Sequence, residues 1–174
     1  MIEQTYPVVW DLDRFFEGGS SSPSLRSHLD EVKGKLSSFD AKLQDFNSPT
    51  SIADVSVIEQ TIEQLKDIAT NLSEAGAVIG CFMAQDTTDK QAALLEGEIG
   101  SLYARFSSQM LTIQQVLSKT EESVWEDLLQ TPELSSFAFV LNEWREEAKR
   151  MLSEKEEDII TKLEVDGYHS WGQL

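Results

Sequence analysis

The chain has 174 residues, 40% of them hydrophobic and 26% charged, which suits one compact globular domain and excludes a mainly disordered chain. Fourteen Lys and Arg against 31 Asp and Glu leave a net charge of −17, with −3 in residues 1–50 and −14 in residues 51–174. That excess works against nucleic acid or an anionic membrane as partner. A single cysteine, Cys81, excludes an intrachain disulfide and reads as a small buried hydrophobe within the apolar run from Ala77 to Ala84.

Residues 1–22 form an extended segment and loop: Tyr6-Pro7 favours an extended start, Asp11 to Phe16 can form one helical turn, and Gly18-Gly19-Ser20-Ser21-Ser22 is a loop. The start lacks a basic, apolar leader and no run is long enough to span a bilayer, so the expected location is the cytoplasm. Ser22 followed by Pro23 has the form of an N-cap with proline at the first helical position, so a helix over 23–46 is predicted. Leu25, Leu29, Val32, Leu36, Phe39, Leu43 and Phe46 recur in steps of four and three, a heptad seam.

Asn47-Ser48-Pro49-Thr50-Ser51 is a turn, and a second helix over 54–84 carries the seam Ile58, Ile62, Leu65, Ala69, Leu72, Gly76, Ile79 and Met83. The short connection predicts an antiparallel hairpin, each arm about 35 to 40 Å long. Asp86 to Asp89 supply cap residues for a third helix over 88–118, with Leu95, Ile99, Leu102, Phe106, Met110, Ile113 and Leu117 inward. Gly97 and Gly100 in this helix, and Gly76 and Gly80 in the second, cost about 1 kcal/mol each unless they permit close helix approach, which is the expected reason for them.

Further helices are predicted over 121–130, over 132–151, opened by Thr131-Pro132 and inward at Phe137, Val140, Leu141, Trp144 and Ala148, and over 154–166, opened by Ser153 and Glu156 with Ile159, Ile160 and Leu163 inward. The domain then runs 23–167, and 168–174 is an aromatic junction. No alternating strand pattern competes, so the fold class is all-α: a long antiparallel hairpin plus further helices in a bundle.

Chemistry is not visible in these patterns. His28 and His169 are the only histidines, neither in a His-Glu-x-x-His pair, and the carboxylates cluster on exposed helix faces without a Glu-x-x-His partner. Gly-rich phosphate loops, nucleophile elbows and Cys-x-x-Cys pairs are all missing from the sequence. The residues therefore predict no catalytic, metal or cofactor site in this segment.

Five stretches carry a resemblance: Trp10 to Phe16 with Gly18-Gly19 and the Ser-Pro helix start, Ala84 to Asp89, Trp125 to Leu134, Leu152 to Glu157, and Gly167 to Leu174. In this order and spacing they resemble the amino-terminal helical domain of the oligoendopeptidase F branch of the zinc oligopeptidases. The resemblance implies that zinc, bound by a His-Glu-x-x-His helix and a downstream Glu, belongs to a catalytic domain of the same peptidase. It implies as partners that domain and, in the full-length parent, short peptides. Tyr168, His169, Trp171 and Leu174 are then the candidate interface with the catalytic domain, or else with a second copy of the segment. The competing reading is a stand-alone adaptor that acts through its heptad seams.

Overall fold

The computed structural model describes residues 11–152, 156, 159, 160, 162–164 and 167. Five α-helices are resolved among them: α1 Pro23–Leu43, α2 Val55–Gln85, α3 Lys90–Ser118, α4 Glu122–Leu129 and α5 Ala138–Ala148. No strand occurs among the described residues, and the molecule is an all-α bundle.

The first helix starts where its cap residues place it. The Ser22 hydroxyl accepts a hydrogen bond from the Leu25 N–H at 3.4 Å, and Pro23 fills the first helical position, where no N–H is needed. All six seam residues from Leu25 to Leu43 are buried. The helix stops at Leu43, short of 46, because the N–H groups of Asp45 and Phe46 turn back onto the carbonyls of Lys42 and Leu43 at 3.2 Å. Phe46 is nevertheless buried, so the seam outlasts the helix.

Cross-helix contacts fix the topology. His28 bonds the Asn71 carbonyl at 3.1 Å, Lys35 meets Asp67 at 2.9 Å and Lys42 donates to Gln64 at 2.8 Å, so α2 runs antiparallel to α1. Arg26 bonds Glu98 at 2.7 Å, Gln109 donates to the Leu36 carbonyl at 2.8 Å and Ser48 to the Val116 carbonyl at 2.7 Å, so α3 returns parallel to α1. The result is an up-down-up trio, with Asp89 capping α3 through bonds from the Gln91 and Ala92 N–H groups at 2.9 and 3.0 Å.

Packing between two neighbours widens the apolar face of α2 beyond one seam. Thr61, Ile68, Ala75, Val78 and Phe82 are buried there, whereas Ala69, Gly76 and Met83 are half-buried, a rotation from the predicted stripe. On α3 the stripe rotates likewise: Gln109 and Gln114 are buried and Phe106 and Met110 half-buried. The expected close approach holds only at Gly76, where an added Cβ would lie 3.0 Å from Tyr103 Oη. Gly80, Gly97 and Gly100 face open space, so close packing does not explain them.

Three corrections concern the last helices. Thr131-Pro132 does not open a helix: the Thr131 hydroxyl turns back to the Leu128 carbonyl at 2.7 Å, the chain makes a turn and a 3-10 segment at Ser135–Phe137, and α5 begins only at Ala138. Val140, predicted inward, is exposed, since α5 presents Leu141 and Arg145 to the core. Residues 156, 159, 160 and 162–164 are helical, but Ile159, Ile160 and Leu163 are exposed rather than inward. Their apolar spacing is helical, but an apolar face is buried only where something packs on it.

Candidate interaction surface

The corner between α3, α4 and α5 is held by side chains that periodicity does not reveal. Glu121 caps α4, its carboxylate accepting from the Ser123 hydroxyl and from the N–H groups of Ser123 and Val124 at 3.1 and 3.3 Å, and the hydroxyl first, with the two N–H groups, holds its carboxyl below the usual range. Trp125 is thereby set into the core, with its indole N–H donating to Asn142 Oδ1 of α5 at 2.8 Å. Across the same corner the Arg145 guanidinium lies 4.9 Å from the Trp125 ring, and its Nη2 donates to the Thr120 carbonyl at 2.7 Å and to Glu122 at 3.0 Å.

Arg145 is only 7% exposed, and its Nε and Nη1, with Thr120 Oγ1, are buried without a hydrogen-bond partner. Stacking on indole offsets part of that cost. Leu128, Leu134 and Leu141 fill the space beneath, so α5 is fixed on one side by apolar packing and at its middle by the Trp125–Arg145 stack. Lys66 of α2 adds a contact over the Phe137 ring at 5.3 Å.

The opposite side of α5 is bare. Phe139 is 77% exposed and Val140 45%, and Glu143, Glu146 and Glu147 continue the same face toward the C-terminus of the helix. A hydrogen bond from Lys149 holds the Glu146 carboxyl below the usual range. Six of the large exposed apolar side chains, Phe139, Val140, Leu152, Ile159, Ile160 and Leu163, fall within residues 139–163. Single exposed apolar residues are ordinary, but so many in one short segment make it the candidate interaction surface of the described residues.

The other candidates resolve as packing. His28 is half-buried against the Phe16 ring at 5.8 Å and the Asn71 carbonyl, a tie between α1 and α2. Cys81 is half-buried against the core. Among the described residues no three His, Cys, Asp or Glu converge as metal ligands. Tyr168, His169, Trp171 and Leu174 lie outside the described residues. No described helix is long and apolar enough to cross a membrane.

Sequence reasoning missed Phe139 and Arg145. An inward α5 face at 141, 144, 145 and 148 turns Phe139 and Val140 outward, but only the contact of Arg145 with Trp125 shows that the charged residue and not Val140 lies on the inner side.

Residues 117–174 match the family model of the oligopeptidase F amino-terminal domain, of the M3 peptidases. The match bears out the resemblance over the last third of the chain, including the stretches Trp125 to Leu134, Leu152 to Glu157 and Gly167 to Leu174. The stretches Trp10 to Phe16 and Ala84 to Asp89 lie before it. No curated protein and no solved structure matches the chain.

Proposed function

We propose that the chain acts as the non-catalytic, amino-terminal helical domain of a cytoplasmic zinc-dependent oligoendopeptidase, where it helps enclose the cavity that admits short peptides. The observation that carries this reading is a coincidence of position: the segment that matches the oligopeptidase F family also holds the concentration of exposed apolar side chains. In this reading those side chains meet the catalytic domain of the same peptidase. Zinc and its His-Glu-x-x-His ligands belong to that partner, since this chain has two histidines set far apart in sequence.

The adaptor alternative has less support, because most residues of the heptad seams of α1, α2 and α3 are buried within the bundle. Reading the gene downstream of the Leu174 codon tests the proposal: an open frame that encodes His-Glu-x-x-His is expected, and an in-frame stop overturns it. A separately expressed catalytic remainder should bind this chain in calorimetric titration. Trp171→Ala should weaken that binding about fivefold or more, as for an aromatic anchor.

A further inference from the structure

The outer face of α5 has a composition that specifies its occupant. Phe139 and Val140 stand at one end, and Glu143, Glu146 and Glu147 follow at helical spacing along the same exposed side. We propose that this face is a docking strip for a surface with an apolar socket rimmed by lysine or arginine. Identifying that surface with the catalytic domain rests on the function proposed above; the chemistry of the strip does not.

Three observations select this occupant. Phe139 is the most exposed large apolar side chain described, and an aromatic anchor that enters a pocket is the usual centre of an interface. Of the carboxylates beside it only Glu146 has a cation, Lys149; Glu143 and Glu147 make no ion pair among the described residues, the Arg150 Nε–H turns to the Glu146 carbonyl, and Arg145 is buried on the opposite side. A basic rim therefore supplies what the strip lacks, whereas a second copy of a −17 chain, paired face to face, sets Glu against Glu. The Trp125–Arg145 stack and the Trp125–Asn142 bond hold α5 in place beforehand, which reduces the ordering cost of binding.

The test uses the full chain and a probe of defined chemistry, a fluorescent amphipathic helical peptide of leucine and lysine, about 18 residues or five turns long, beside a leucine and glutamate counterpart. Anisotropy should show the lysine peptide binding more weakly as salt rises and the glutamate peptide not binding. Phe139→Ser should weaken binding about tenfold. The triple change Glu143→Gln, Glu146→Gln, Glu147→Gln should do the same and flatten the salt dependence. Leu94→Ser removes another exposed apolar residue, on α3, and should leave binding unchanged. Every altered side chain is exposed, so circular dichroism should match wild type throughout.

No binding of the lysine peptide, equal losses for Phe139→Ser and Leu94→Ser, or a dimer in sedimentation that Phe139→Ser dissolves would each overturn the strip. A downstream zinc-site frame combined with Phe139-independent binding would sink the strip and spare the peptidase reading. A stop codon combined with Phe139-dependent binding would do the reverse.

Discussion

Two glycines one turn apart on α2 make a controlled comparison. Replacing glycine by alanine in a helix interior gains about 1 kcal/mol, because alanine has less backbone freedom to lose on folding. At Gly80 the new methyl group meets nothing within 4 Å, so Gly80→Ala should keep the full gain and raise Tm by about 2 to 4 °C for a domain of this size. At Gly76 the methyl would sit 3.0 Å from Tyr103 Oη and 3.2 Å from Cε2. Overpacking typically costs about 1 to 3 kcal/mol, and Tyr103, being 39% exposed, can relieve part of it by moving outward. The two terms then cancel, and Gly76→Ala should be no more stable than wild type. Thermal and urea unfolding followed at 222 nm measure both variants. Equal stabilisation of the two would refute the packing of Tyr103 on Gly76, and no gain at Gly80 would refute the propensity argument itself.

Leu36→Ala removes a side chain that is fully buried where α1 faces its neighbours, and should cost about 2 to 5 kcal/mol in urea unfolding. Lys35→Ala, one position off the seam, breaks bonds to Asp67 at 2.9 Å and Glu31 at 3.1 Å, but both carboxylates are more than half exposed, so about 0.2 to 1 kcal/mol is expected. Burial pushes the Glu98 carboxyl up, yet hydrogen bonds from Lys33 and Arg26 outweigh it and hold the group below the usual range. A depressed folded value means that the contribution is present above the unfolded pKa and lost as pH falls through the folded one, so Glu98→Gln should reduce the loss of Tm on acidification. The purified chain should hold no stoichiometric zinc and cleave no quenched fluorescent peptide; one zinc per chain with chelator-sensitive cleavage would contradict this.

The first three helices were legible because each is bounded by the other two, so its sequence repeats an apolar stripe and its caps show where the repeat starts. Ser22-Pro23 and Asp89 act as read. What periodicity could not give was the rotation of α2 and α3, since a stripe of one residue in three or four does not say how many neighbours a helix has. Gln109 shows this: its Nε2 reaches the Leu36 carbonyl and Asp40, and a buried polar residue that bonds across to a neighbouring helix is invisible to an apolar count. Thr131-Pro132 repeats the pattern of Ser22-Pro23 with the opposite outcome, because a cap signature announces a turn and only later packing decides whether a helix follows at once.

The strongest disagreement between sequence and packing falls where the family match falls. Alternation and period explain an apolar residue by burying it, and from Leu25 to Leu117 that explanation succeeds at every position of the α1 seam and most positions of the next two. From Phe139 to Leu163 it fails repeatedly: Val140, Ile159, Ile160 and Leu163 have helical spacing and no cover. Such places, where local rules are broken without an internal compensation, are where a second surface supplies it. The helix that carries Phe139 is meanwhile anchored on its inner side by Leu141, the Arg145–Trp125 contact and the Trp125–Asn142 bond. A loose helix with exposed apolar groups would indicate poor folding, whereas this one is pinned with Phe139 held outward beside three glutamates, as the proposed docking strip requires.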